Sequence, residues 1–376
     1  RNRWTLDIER AGTGERLSLT GNFLWMCQGY YRHSEGYTPE WPDFSRYQGT
    51  IVHPQHWPEN LDYHGKRVIV IGSGATAATL IPAMARDCAH VTMVQRSPTY
   101  FTSGRNANVL ADQLRELEID ESWIHEIVRR RIIFDRAAFI RQAQQNPEKI
   151  REDLLAGVRK GLGPEFDIDT HFTPRYKPWQ QRVAFVPDGD LFQVIREGHA
   201  SVVTDEIERF TETGLKLKSG QSIDADIIIT ATGFNLNALG DIHFEVDGKP
   251  IVYSQTTTYR GMMFIGIPNM VLLLGYGRFS WTLRADLIGD FVCRLLKHMT
   301  DKRAQKISLV DREDEAPDLP AEPGSGPIFN PGYLLRNMHI LPQISKRRDW
   351  LRNDDYLVER EEFPKIDLDG PTFQYS

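Results

Sequence analysis

Six consecutive residues, Gly72-Ser73-Gly74-Ala75-Thr76-Ala77, have the types and spacing to seat a pyrophosphate. The first glycine permits a tight turn after a strand. The second lets backbone N–H groups come close to the anion, and a small residue at the sixth place lets the next helix lie close to the strand. The N-terminus of that helix then offers its unpaired N–H groups and the positive end of its dipole. The turn, with Ala78 just beyond it, is a candidate dinucleotide site. The nucleotide is selected downstream. A site for NAD places Asp or Glu at the end of the second strand, against the ribose 2′-hydroxyl. Here that stretch reads Gln95-Arg96-Ser97-Pro98. Arg96 can give a forked, charge-assisted bond to a 2′-phosphate and Ser97 a hydroxyl bond, with no carboxylate in the stretch to repel it. The expected ligand is NADPH.

Such a turn works only between a strand and a helix. Residues 66–71, KRVIVI, form a β-branched run suited to a central parallel strand. A helix should follow, kinked or loosened by Pro82, and then a second strand at residues 90–95. Upstream, Trp4, Leu6 and Ile8 alternate as a strand, with Gly12 and Gly14 as its turn and residues 16–20 as the return. Residues 23–27 read as a buried strand ending at Gly29. A hairpin and a lone strand do not open a domain, so an N-terminal part is expected to be missing.

Residues 106–160 read as helices with three apolar stripes: Val109, Leu110, Leu114 and Leu117; Trp123, Ile124, Ile127 and Val128; Ile150, Leu154, Leu155 and Val158. Each is expected to be a packing face. Arg129-Arg130-Arg131 reads as a solvated helix face. Residues 171–192, rich in proline and aromatics, read as an ordered loop, residues 311–326 as an exposed acidic linker, and residues 331–342 as a short docking helix with turns.

The bulk numbers narrow the class. The chain has 376 residues, 40% hydrophobic and 26% charged, enough for two cores. A net charge of −6 gives no field for nucleic acid, which is excluded as a partner. Cys27, Cys88 and Cys293 form no CxxC pair and no metal cluster, and read as small buried thiols in a reducing cytoplasm. Asp167, Asp169 and His171 lack ligand spacing, so no metal is expected. No apolar run approaches the ~18 residues that span a bilayer. Peripheral membrane contact and oligomeric state are left open.

The segment before the turn carries a resemblance. Tyr47-x-Gly49-x-x-x-His53-x-x-x-Trp57-Pro58 resembles the fingerprint FxGxxxHxxxWP of class B flavoprotein monooxygenases, the group that includes the Baeyer–Villiger enzymes, with Tyr in place of Phe. ADIIITATGFN at residues 225–235 resembles the family's second linker strand. Residues 267–287 look like the late flavin-domain strand and the helix after it, with Ser280 as its cap. The wording GSGATA, QRSPTY, NPGYLLR and SWTLRADL is nearest to the bacterial ethionamide-activating FAD-containing monooxygenases.

The resemblance implies an α/β fold of two dinucleotide-binding, Rossmann-like domains, the NADPH domain inserted in an FAD domain that is incomplete here. Residues 1–45 would be a remnant of the first part of the FAD domain. Residues 46–235 would be the NADPH domain, with a helical insert at about 106–165, and residues 236–376 the return to the FAD domain and tail. It implies FAD and NADPH as cofactors, and O2 with a ketone or sulfide as substrates. One oxygen atom would enter a ketone to give an ester or lactone, or a sulfide or thioamide would be oxidised.

Arg182, after Pro178-Trp179-Gln180-Gln181, aligns with the arginine that sits over the flavin in Baeyer–Villiger enzymes. Its implied role is to keep a peroxyflavin anionic and to stabilise the oxyanion of the adduct, which suits a permanently charged group. The fingerprint residues are implied to position rather than to transfer protons. Two alternatives stay open: a flavin-dependent NADPH oxidase or reductase without oxygen transfer, and an inactive NADPH-binding fragment. The absence of CxxC argues against a disulfide reductase, and the His-Trp-Pro fingerprint favours oxygenation.

Overall fold

The computed structural model describes residues 2–237, 239–310, 331–345 and 347–376. The expected linker at residues 311–326 lies outside them. Two compact units emerge: Ser34–Asn235 makes the first, and Arg1–His33 joins most of the described chain from Leu236 onward in the second.

The first unit is built on five parallel strands in the order Ala200–Thr204, His90–Gln95, Arg67–Ile71, Ile227–Thr230, Thr50–Val52. The β-branched run is central because both of its faces are covered. Val68 and Val70 enter one buried cluster with Ala77, Ile81 and Val91. Ile69 and Ile71 enter another on the opposite face, with Phe210, Leu215 and Leu217. The second face is covered by an antiparallel sheet of Ile207–Phe210, Gly214–Leu217 and Ser222–Asp224. The alternation of side chains along a strand thus serves two cores at once. Helix α1, Ala75–Met84, runs unbroken through Pro82.

Helices α2 (Val109–Glu116), α3 (Glu121–Gln145) and α4 (Pro147–Leu162) follow the second strand. Their stripes diverge from expectation. Ile150, Leu154 and Val158 of α4 are buried. In the other two stripes Val109, Leu117, Trp123 and Ile127 are exposed, Leu117 at 70% and Trp123 at 66%. Periodicity shows that a helix side is apolar; it does not show what covers it. The expected loop at 171–192 is also more regular than predicted. After α5, Ile168–His171, it contains the strand Ala184–Pro187, parallel to Phe101–Gly104, and the start of α6, Asp190–Arg196. Of the three cysteines only Cys88 is buried; Cys27 and Cys293 are exposed.

In the second unit the hairpin Trp4–Glu9 and Arg16–Gly21 closes over Gly12 and Gly14, both left-handed. Leu24–Met26 lies parallel to Met270–Leu272. Helix α7, Trp281–Asp301, buries Leu283, Leu287, Ile288, Phe291 and Leu295 along one stripe. Ser280 stands at its N-cap position without a cap hydrogen bond, its Oγ instead 2.9 Å from Thr282 Oγ1. Residues 332–336 form a short helix followed by a 3-10 turn. No helix among the described residues is long and apolar enough to cross a membrane.

Candidate functional site

The two glycines of the turn are glycine for different reasons. Gly72 has φ +128°, and a Cβ there would stand 2.4 Å from the Ala231 carbonyl oxygen. Its own N–H donates to Val94 O at 2.8 Å. The turn is therefore squeezed between two strand ends, and the backbone itself demands glycine. Gly74 has ordinary φ −78° as the N-cap of α1, and a Cβ there would meet nothing within 4 Å. Nothing inside the protein requires a glycine at 74; the open space fits a group arriving from outside, at the N-terminus of a ten-residue helix. Ala77 and Ala78 are buried against the core, as close helix–strand packing needs. Ser73 faces a partner unforeseen in the sequence: its Oγ is 2.8 Å from Thr99 Oγ1 and donates to Ser97 O at 3.3 Å.

A contrast follows. Gly72→Ala should destabilise the first unit by roughly 2–5 kcal/mol through strain and overpacking. Gly74→Ala should melt like the parent yet weaken dinucleotide binding roughly tenfold or more, the scale of one hydrogen bond to a charged group. Differential scanning fluorimetry and a cofactor titration separate the two. Parent-like affinity in Gly74→Ala would remove the ligand-based reason for that glycine.

The end of the second strand divides its tasks. Gln95 is 2% exposed and turned inward. Its Nε2 donates to His171 O at 2.6 Å and to Thr204 Oγ1 at 2.8 Å. His171 Nδ1 lies 2.8 Å from the same Thr204 hydroxyl, and Asp167 caps Thr170 N–H. Arg96 and Ser97 are exposed, and Arg96 makes no hydrogen bond or ion pair with the described residues. One carboxylate is close by after all. Glu206 pairs with Lys218, and that bond together with the charge of Arg96 holds it below the usual carboxylate range. Its charge acts on Arg96 from the strand connection after Thr204, which the motif alone did not reveal.

The fingerprint residues pin the linkers. Tyr47 is buried and donates its hydroxyl to Ala225 O at 3.0 Å, a bond that phenylalanine could not make. A Cβ on Gly49 would lie 2.3 Å from that hydroxyl, so the glycine makes room for the ring that folds over it. His53 Nδ1 accepts from Gln55 N–H at 3.2 Å, which leaves Nε2–H to donate to Gly233 O at 3.1 Å. The imidazole occupies the space a Cβ on Gly36 would need, 1.9 Å away. Around it Tyr37 N–H donates to Gly233 O, and Asn235 Nδ2 donates to Gly36 O. Trp57 packs on the main core, and Pro58 O accepts from Leu61 N–H. His53 thus fastens the chain near Gly36 to the chain near Gly233.

Burial, with neighbouring His56 adding, outweighs the Gly233 hydrogen bond and pushes the His53 pKa down. The folded state then binds fewer protons than the unfolded one, whose histidines titrate near ~6.5. The stabilising effect is intact above that value and fades as pH falls below it. His171, lowered chiefly by burial, acts in the same direction. His53→Gln should flatten the fall in melting temperature between about pH 6.5 and 5. An unchanged slope would mean that His53 contributes nothing to it.

Arg182 follows a turn of unusual composition. Gln180 N–H donates to Lys177 O at 3.0 Å, and Gln180 Oε1 accepts from Lys177 N–H at 3.1 Å. Pro178 and Trp179 are the two central residues, and Trp179 has φ +66°. Its ring is 4% exposed, in a cluster with Tyr100, Ala143, Ile150 and Leu154. Arg182 itself is exposed. The nucleotide turn and this loop meet on two consecutive residues. Thr99 takes Ser73. Tyr100 donates its hydroxyl to Tyr176 O at 2.9 Å, and its carbonyl accepts Ala184 N–H at 2.8 Å.

Residues 4–114 match the flavin-binding monooxygenase-like family. Over 375 residues the chain is 44% identical to the FAD-containing monooxygenase EthA of Mycobacterium tuberculosis, covering 99% of this chain and 75% of that protein. It is 40% identical over 374 residues to a probable FAD-binding monooxygenase, AlmA, of Acinetobacter baylyi, covering 99% and 74%. In fold it is similar to an oxidised steroid monooxygenase bound to NADP, with a TM-score of 0.70 at 19% identity over 99% of this chain and 77% of that one. An open crystal structure of cyclohexanone monooxygenase gives a TM-score of 0.68 at 17% identity, with the same coverage. The mixed α/β architecture is thus that of Baeyer–Villiger monooxygenases with two dinucleotide-binding domains.

Proposed function

Because this chain belongs to the flavin-binding monooxygenase-like family of FAD-containing monooxygenases, we propose that it inserts one atom of O2 beside a ketone carbonyl, using FAD and NADPH. It is a flavin monooxygenase with FAD and NADP as cofactors. The ketone, and a soft sulfur as second substrate class, are our reading. When bound, the flavin supplies the electron transfer and oxygen activation. The protein's own residues bind, orient and stabilise charge. We assign Ser34–Asn235 to NADPH, with the pyrophosphate over Ser73–Ala78 and the 2′-phosphate on Arg96 and Ser97, and the second unit to FAD. Tyr47, Gly49, His53, Trp57 and Pro58 hold the linkers in place. Arg182 stabilises the negative charge that develops on oxygen, as a fixed guanidinium does without reorganising.

The observation that carries this reading is the join at Thr99 and Tyr100, which binds the nucleotide turn and the Arg182 loop into one structure. It is tested with the FAD-loaded protein, NADPH, ¹⁸O₂ and a panel of linear, cyclic and aryl ketones plus one sulfide. Ester or sulfoxide carrying a single ¹⁸O is expected. NADPH oxidation that yields only hydrogen peroxide on every substrate supports the oxidase alternative instead. In the same assay Arg96→Ala should weaken NADPH by ~1.5–3 kcal/mol and leave NADH little changed.

A further inference from the structure

The sequence places tryptophan where the turn asks for glycine. In Lys177-Pro178-Trp179-Gln180, proline fixes a negative φ at the first central position, and a positive φ at the second defines a type II turn. A bulky side chain in left-handed backbone is strained and persists only where its surroundings over-determine it. Two residues of α3, one turn apart, do so here. The Phe139 ring meets Trp179 edge-to-face at 6.1 Å and 78°. The Arg136 guanidinium lies over the Trp179 ring, 4.4 Å from its centroid. Residues three apart on a helix share a face, so α3 grips the indole with both.

We propose that Arg136 is a positioning residue for Arg182: stacked on Trp179, it locks the strained turn that leads into Arg182. The inference rests on the reading of Arg182 given above and deepens it. Loss of surrounding water and the nearby charge of Arg182 both push Arg136 below the ordinary arginine range. A lysine at 136 would keep the charge and lose the planar stack.

The test uses the FAD-loaded protein with Arg136→Met, Arg136→Lys, Trp179→Phe, Arg182→Ala and the double variant Arg136→Met/Arg182→Ala. Two quantities are read: the partition of NADPH equivalents between oxygenated product and hydrogen peroxide, and, without substrate, the rate at which trypsin cuts the Arg182–Val183 bond. Arg136→Met should shift the partition toward peroxide about tenfold, the scale of a desolvated cation–π contact, and should speed cleavage at Arg182 with the melting temperature kept. Arg136→Lys should recover the partition in part, and Trp179→Phe should fall between parent and Arg136→Met. In the Arg182→Ala background Arg136→Met should add nothing to the partition. If Arg182→Ala alters the partition while Arg136→Met alters neither quantity, the inference fails and the reading of Arg182 stands. If the two effects add, Arg136 acts independently and the positioning role is wrong. If Arg182→Ala leaves the partition unchanged, the reading of Arg182 fails and takes this inference with it.

Discussion

Arg182→Ala should lower ester formation from a ketone by ~10²-fold or more, the scale for losing one stabiliser of a developing oxyanion. NADPH should still bind, because the glycine turn and Arg96 lie on other segments of the first unit. Flavin reduction should continue, perceptibly slower at most. The electrons then leave as hydrogen peroxide, because oxygen whose charge is unstabilised takes up protons and departs before it reaches the carbonyl. Arg182→Lys should rescue only partly, since an ammonium is a point charge without the planar fork. Arg182 is exposed, and its removal opens no cavity in the Trp179 cluster, so the loss should not come from unfolding. Stopped-flow flavin reduction beside ester and peroxide yields reads all three effects. Ester made at the parent rate would return Arg182 to a structural role.

What the sequence disclosed, and what it withheld, follows from range. The strand–turn–helix around Gly72 was legible because each part is local: a β-branched run, a φ that only glycine adopts freely, a helix start. The Tyr47-to-Pro58 spacing was equally visible, but its reason was not. His53 reaches Gly233 across 180 residues, and Tyr47 reaches Ala225 across 178. The Arg182 alignment could be read, whereas nothing in the sequence sets Arg136, the residue stacked on Trp179, apart from the other arginines of its helix. The clue available was Lys177-Pro178-Trp179, proline at the first central place of a turn with a residue after it that a type II turn disfavours. The apolar stripes of α2 and α3 are covered only in part, Ile124 buried but Leu117 and Trp123 exposed, because a helical period carries no information about the partner. Glu206 was missed beside Arg96 because the field at a strand end comes from neighbouring strands as well as from its own.

Glu359→Gln should be strongly destabilising to the second unit. Glu359 and Arg284 are both 0% exposed, their ion pair 2.8 Å long. The guanidinium also donates to Leu274 O and to Arg260 O, each at 2.6 Å. The carboxylate accepts from the Tyr276 hydroxyl at 2.7 Å and from Asn353 N–H at 3.2 Å. Burial and this carboxylate push the Tyr276 pKa far up, so the phenol keeps the proton it donates. A buried pair gains little over an apolar substitute, but removing one partner leaves the other charge uncompensated at ~3–5 kcal/mol. Glutamine preserves the shape and deletes the charge. The expected fall in melting temperature is roughly 6–20 °C, at ~2–4 °C per kcal/mol for a unit of this size. Arg284→Met should cost about as much, and the double variant Arg284→Met/Glu359→Gln less than the sum of the two singles. The pair fastens the helix Tyr356–Glu362 to α7 and to the loop that leads into α7. Its loss should therefore free that loop before the unit melts, seen as faster amide exchange at 274–280. A Glu359→Gln protein that melts within about 2 °C of the parent would contradict the penalty assigned to an unpaired buried charge.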